Sequence, residues 1–276
     1  MRILCTHPGR HGDLLWALPT VRAISRSYDT PVDLMLSPPY SSPSFRRLLL
    51  RTPYVGNVFV NAAWAVQETA PMTPREPPDW PEGYDHVAHL GYDGWPLRTL
   101  PLETYRIASE QIDLTWPVDL DSPWLLPHSA YLLPPTRLTV GFTDEYFEVK
   151  YGVYWLLREH FITPGEDGIR QLVNVSYGER WKGRTAETDW ETAQAWIGES
   201  ELFVGCCSAL HVVACALGKP CVIVEPAEAR HHPVFYPYGT SGPRVTVTLG
   251  LTGQPTVDSR HVIAAIEARL QQGAAA

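Results

Sequence analysis

Three short stretches of the 276-residue chain carry side chains whose types and spacing could do chemistry. The first is HPGRHGD, residues 7–13, which sets one carboxylate, Asp13, between a short apolar run and a helical pattern. A carboxylate lifted to the end of a strand is a candidate general base. The same residue would serve equally as a helix N-cap, with its oxygens committed to backbone amides. Gly9 and Gly12 allow the backbone close to a ligand, with Arg10 and His11 between them as candidate acceptor-side contacts. The spacing is not G-x-G-x-x-G, so no nicotinamide or flavin cofactor is expected.

The second stretch is LFVGCCSALHVVACALGKP, residues 202–220. It reads as a strand, a small-residue turn and a helix. Cys206, Cys207, Ser208 and Ala209 are small enough for amides at the helix start to meet a phosphate, and His211 in the first turn would add a donor. A packed strand–helix corner with a half-buried histidine is the commoner arrangement, and the segment alone does not separate the two. The third is Lys150, which follows the polar loop TDEYFEV. Lysine is scarce, at positions 150, 182 and 219 only, and an ammonium there would neutralise a diphosphate as a point charge. Its alternative is a solvated lysine at a helix start.

Other candidates carry less. Asp119-Leu120-Asp121 spells the D-x-D of metal–diphosphate sites but falls in a proline-rich connector. Asn174-Val175-Ser176 matches a glycosylation sequon inside a predicted buried strand, and His231-His232 reads as cleft lining or plain loop. Cys5, Cys206, Cys207, Cys215 and Cys221 are odd in number, lie mostly in apolar runs, and lack the C-x-x-C spacing of zinc sites. Buried free thiols in a reducing, cytoplasmic compartment are expected, and no metal site.

These residues need elements to hold them. Short apolar runs at 2–6, 32–36, 55–60 and 86–90 alternate with helical patterns at 13–26, 44–51 and 102–112, which predicts a parallel sheet crossed by helices. Pro19 would break a helix interior, so the continuous helix is expected to start close to it. Residues 70–83, with five prolines, predict an extended loop, and 119–135 a passage between domains. The alternation then restarts. Strands are expected at 138–142, 171–176, 202–205 and 221–224, and helices at 153–161, 189–197 and 210–217. A terminal helix follows, capped by Asp258 or Ser259, with Val262, Ile263, Ile266 and Leu270 on one face. Two α/β domains, 1–135 and 136–276, are the predicted organisation.

The formal net charge of −8 argues against a broad nucleic-acid surface or tight docking on anionic lipid, though not against an anionic ligand in a local pocket. No apolar run approaches the length of a signal peptide or membrane span, so at most peripheral membrane contact is expected.

Taken in order, the opening RILCTHPGRHGDLLWALPTVRAI resembles the G-D-hydrophobic-P start of family 9 glycosyltransferases, the heptosyltransferase group, and ELFVGCCSALHVVACALGKP resembles their second signature. YDHVAHL and the spacing from Lys150 to Trp155 also fit. The resemblance implies a GT-B fold: two Rossmann-like domains with parallel sheets facing across a central cleft, the N-terminal one on the acceptor side and the C-terminal one binding the nucleotide sugar. It implies inverting, metal-independent transfer of a sugar to an acceptor hydroxyl, with the donor as co-substrate and no cofactor. Asp13 then matches the catalytic base, and Lys150 the lysine that meets the donor phosphates. His211 and the turn at Cys207, Ser208 and Ala209 match the donor signature, and Glu179 a residue that contacts the nucleoside. The family's acidic residue in that signature is replaced by Cys206 and its glycine by Ser208. Those departures keep a non-catalytic nucleotide- or glycan-binding protein as the alternative.

Overall fold

The computed structural model describes residues 1–64, 76–92, 99–128, 136–142, 169–173, 189–226, 245–251 and 255–274. The chain divides into two compact units, Met1–Leu126 and Pro127–Ala276.

In the first unit β1 (Ile3–His7), β2 (Val32–Leu36), β3 (Val55–Val60) and β4 (His86–His89) form a parallel sheet in the order β3-β2-β1-β4. β1 and β2 are buried along their whole length, as parallel strands covered on both faces must be. Leu4, Met35 and Trp64 make one cluster on this sheet, with Phe59, Tyr84 and Val87 against it. Its α-helices, among the described residues, are α1 (His11–Tyr28), α2 (Pro43–Leu50) and α3 (Leu100–Ser109). Ser42 caps α2 by accepting from the Phe45 amide at 3.4 Å. Thr20 of α1 and Thr104 of α3 share a buried hydroxyl–hydroxyl bond of 3.0 Å.

Contrary to the sequence expectation, α1 does not begin near Pro19 but runs through it. An interior proline deprives the carbonyl four residues earlier of its donor, here that of Leu15. The Trp124 indole supplies the replacement, its Nε1 donating to the Leu15 carbonyl at 3.2 Å. Trp124 is fully buried and packs on Trp16, with ring centroids 5.7 Å apart. A tertiary contact thus restores what the local sequence removes.

In the second unit β5 (Thr136–Phe142), β6 (Ile169–Val173), β7 (Ser200–Gly205), β8 (Cys221–Pro226) and β9 (Val245–Leu251) form a parallel sheet in the order β6-β5-β7-β8-β9. Its helices, among the described residues, are α4 (Trp190–Glu199), α5 (Ala209–Ala216) and α6 (Pro255–Ala274). The acidic cap expected for α4 is present, Asp189 accepting from the Thr192 amide at 2.7 Å. α6 starts earlier than expected. Asp258 and Ser259 lie inside it rather than capping it, and Pro255 takes the first position, where a missing N–H costs nothing. Its inward face matches the prediction: Val262 and Ile266 are buried with Leu138, Leu202, Val204, Val222 and Val224, and Ile263 and Leu270 pack against them. β9, whose VTVTLGL alternates, was not anticipated. The expected helix at 153–161 and the end of the strand at 174–176 lie outside the described residues.

Each sheet reverses direction once. In the first, the chain steps from β1 to β2 and β3 on one side, then returns to place β4 on the other side of β1. In the second, β6 lies on one side of β5 and β7 on the other. Ligands of such sheets bind beyond the strands' carboxyl ends at these reversals. The loops that follow β1, β4, β5 and β7 are therefore the places to look.

Candidate active site

The loop after β1 carries the residues singled out from the sequence. Gly9 has φ +139° and Arg10 φ 28°, both outside the range that L-residues prefer. A Cβ on Gly9 would come within 1.9 Å of Cδ2 of the Tyr40 ring. Gly9→Ala is therefore expected to cost about 2–4 kcal/mol, combining backbone strain with overpacking, and urea unfolding of the variant measures it.

Arg10 occupies the N-cap position of α1, and Asp13 stands inside the first turn. The N-cap reading of Asp13 is thus incorrect. Its side chain is almost wholly enclosed, and burial pushes its carboxyl up to about 6. Two groups act the other way, the Arg10 guanidinium by its charge and the Tyr92 hydroxyl by a hydrogen bond. A buried carboxylate that titrates close to neutrality is what proton transfer at that pH needs. Tyr92 is itself buried, and burial together with the neighbouring Asp13 charge raises its phenol well above the ordinary value, so it stays protonated.

Two histidines flank this carboxylate in the chain. His7 ends β1, and its Nδ1 accepts from the Gly9 amide at 3.2 Å, which places the proton on Nε2. Burial lowers it to about 3. His11, expected as an acceptor-side contact, is enclosed instead between Tyr40 and Phe45, with ring centroids 5.5 and 4.5 Å away, and burial lowers it too to about 3. Its ring packs the loop in the neutral form.

In the second unit the turn after β7 divides by residue. Cys206 is fully buried in the sheet-face cluster, so this position packs core, whereas Cys207 is partly exposed. Ser208 is the N-cap of α5, and His211 lies in the first turn as expected. His211 Nδ1 accepts from the Ser208 amide at 3.0 Å. The Ser208 amide is therefore committed, a correction to its expected role at a phosphate, while the buried ring keeps Nε2 as its donor. Lys150, Glu179, His231, His232 and the sequon 174–176 lie outside the described residues.

Asp119-Leu120-Asp121 has a structural task. Asp119 Oδ1 accepts from the amides of Asp121 and Ser122 at 3.0 and 3.1 Å. Its Oδ2 pairs with Arg22 at 3.2 Å and lies 3.8 Å from Arg26. Arg22 also donates to the Pro123 carbonyl at 2.7 Å. The motif thus ties the connector to α1. Among the described residues no group of three or more His, Cys, Asp or Glu is placed to hold a metal ion.

Tyr92 is the site residue that the sequence reading missed. It lies three residues beyond β4, beside the reversal at β1, and that topology was the available signal.

No family model matches the sequence, and no curated protein does. Solved structures do match over nearly the whole chain. An E. coli heptosyltransferase, WaaC, solved with ADP, is 13% identical, covering 98% of this chain and 100% of its own, at a TM-score of 0.64. A family 9 glycosyl transferase from Veillonella parvula is 12% identical, covering 98% and 97%, at 0.65. E. coli ADP-heptose LPS heptosyltransferase II is 16% identical, covering 99% of each chain, at 0.58. The chain therefore has the α/β GT-B fold, two Rossmann-like units in sequence. Within that class its fold is the one found in the two E. coli heptosyltransferases and in the Veillonella family 9 glycosyl transferase.

Proposed function

We propose that the protein is an inverting, metal-independent glycosyltransferase that moves a sugar from a nucleotide-diphosphate sugar to an acceptor hydroxyl. The observation that carries the reading is Asp13. It is a buried carboxyl, pushed up to about 6, in the first turn of the helix that follows β1, where the sheet reverses, on the fold that WaaC and heptosyltransferase II share.

In this reading the acceptor oxygen attacks the anomeric carbon as Asp13 takes its proton. The bond from that carbon to the diphosphate oxygen breaks, and its electron pair leaves with the diphosphate. Lys150, the His211 Nε2–H and first-turn amides of α5 stabilise the departing charge, with Cys207 and Ala209 lining the turn and Glu179 at the nucleoside. The first-unit loop of Gly9, Arg10 and Gly12 meets the acceptor. The structure of WaaC holds ADP, which supports a nucleoside-diphosphate donor. The five cysteines are free thiols, four of them buried, in keeping with a reducing, cytoplasmic compartment. Among the described residues no helix is long and apolar enough to cross a membrane.

One observation favours the second reading, a nucleotide- or glycan-binding protein without turnover: the signature's acidic position is Cys206, turned into the core. A thermal-shift screen across ADP-, UDP-, GDP- and CMP-sugars separates the two, followed by an assay for nucleotide release with and without EDTA. Release that survives EDTA is the expected result. Binding without even slow hydrolysis or transfer selects the second reading, and strict dependence on an added divalent metal overturns the metal-free mechanism.

A further inference from the structure

We propose that Trp80 is a stacking platform for a sugar ring of the acceptor, set at the carboxyl ends of the strands of the first unit. This rests on the transferase reading given above, and it adds the chemical class of the acceptor, a glycan or glycoside.

Trp80 is 42% exposed, whereas Trp16, Trp64, Trp124 and Trp190 are fully buried. Its backbone and its ring are both pinned. Asn61, just beyond β3, is held at the end of the sheet by its amide, which donates to the Leu36 carbonyl of β2 at 3.0 Å. The Asn61 Nδ2 donates to the carbonyl and to Oδ1 of Asp79 at 2.8 and 2.7 Å, which fixes the residue before Trp80. The indole meets the imidazole of His89, the last residue of β4, with ring centroids 5.2 Å apart and the planes steeply inclined. His89 is fixed in turn. Its Nδ1 shares a 2.8 Å hydrogen bond with the Thr6 hydroxyl of β1. The Gln111 side chain accepts from its amide at 2.8 Å and donates to its carbonyl at 3.1 Å. The indole therefore stands over the carboxyl ends of β1 and β4, the two strands at the reversal.

Strand alternation gives the side from which it arrives. Thr6 and His89 are partners in the ladder and share one face of the sheet, while Ile3 and His86 are partners on the other. α1 lies on that second face, its Tyr28 ring 4.9 Å from that of His86. Trp80 and the loop leading to Asp13 thus flank the end of β1 from opposite sides. Trp116, 50% exposed, is the contrasting case. Its amide donates to the Ser27 hydroxyl near the end of α1 at 3.1 Å, and the Arg26 guanidinium lies 5.7 Å from its ring centroid. That is the amino end of the strands, where ligands of such sheets do not bind.

The chemistry of the platform selects its ligand. The indole face is electron-rich, and the C–H groups on one face of a pyranose carry the complementary partial positive charge. Asp79 and Glu82, both exposed, lie one and two residues from Trp80 in the chain. Their carboxylates repel an anionic ring and accept hydrogen bonds from sugar hydroxyls. A ring already held in place loses little freedom when a ligand stacks on it. A cation suits the same groups but brings no hydroxyl to be glycosylated.

The experiment needs neither donor nor turnover. Saturation-transfer NMR on the full chain takes methyl glucoside, methyl galactoside, methyl mannoside, lactose and maltose as probes, with tetramethylammonium as the cationic control. Saturation of the ring C–H protons of at least one sugar is the expected result. Trp80→Ala is expected to weaken that binding about tenfold, while Trp80→Phe keeps part of it and Trp116→Ala leaves it unchanged. Saturation of no sugar, equal loss in both alanine variants, or binding of tetramethylammonium alone overturns the proposal. Should Trp80→Ala not fold, Trp80→Leu, apolar but without a π face, is compared with Trp80→Phe, and equal affinities overturn it. Trp80-dependent sugar binding in a protein that never releases nucleotide removes the transferase reading and leaves the platform standing. Nucleotide release by a protein whose sugar binding ignores Trp80→Ala removes the platform alone.

Discussion

Asp13→Asn is expected to lose transfer by about 10²- to 10⁴-fold and, at the same time, to stabilise the protein at neutral pH. Both follow from one fact, a carboxyl raised from 3.8 to about 6 by burial. A carboxyl raised on folding is better protonated in the native state than in the unfolded chain. The stability it contributes is complete below about pH 4 and is lost as the pH rises through about 6. Ionised Asp13 at pH 7.5 therefore costs the fold up to about 3 kcal/mol. Asparagine carries no charge to desolvate. Urea unfolding should show the variant more stable at pH 7.5, the gain shrinking to nothing below pH 4. Retained activity would remove Asp13 from the mechanism. Lowered stability at pH 7.5 would mean that the carboxylate is compensated in the native protein.

The second large effect has the opposite sign. His7 and His11 are lowered from 6.5 to about 3 by burial, so the unfolded chain binds protons that the native one refuses. Their contribution is complete above about pH 6.5 and drains away as the pH falls toward 3. At pH 4.5 each histidine is expected to have cost about 3 kcal/mol relative to neutral pH, offset in part by the protonation of Asp13. Unfolding in urea at pH 7.5 and 4.5 measures the loss. His11→Phe, which keeps a ring against Tyr40 and Phe45, is expected to remove about half of the histidine share. If acid sensitivity is unchanged in that variant, His11 does not hold a buried neutral ring in solution.

The order of elements was largely readable because both units alternate short apolar strands with patterned helices, and that alternation needs only local sequence. What escaped it needed partners far along the chain. Pro19 reads as a helix start until Trp124 is known to stand beside the Leu15 carbonyl. Asp13 reads as a cap or a base with equal ease. Only the helix start at His11 and the enclosure of the side chain separate them, and both depend on how the loop packs. His11 looks like a ligand contact in a glycine-broken loop, yet Tyr40 and Phe45, from elements some thirty residues on, turn it into packing. Cys206 and Cys207 are identical in sequence, but the turn after β7 buries one and leaves the other partly in solvent. Tyr92 carried no pattern at all and became visible only through the pairing of β4 with β1.

The bond between Trp124 and Leu15 has a consequence for how the first unit is made. It joins positions 109 residues apart, so the backbone of α1 cannot be completed from its own neighbourhood. During synthesis the segment that carries Asp13 waits for nearly the entire lobe to emerge before its middle turn is sealed. Early folding of this helix in isolation is thereby penalised, and the lobe is biased toward assembling as a single cooperative block.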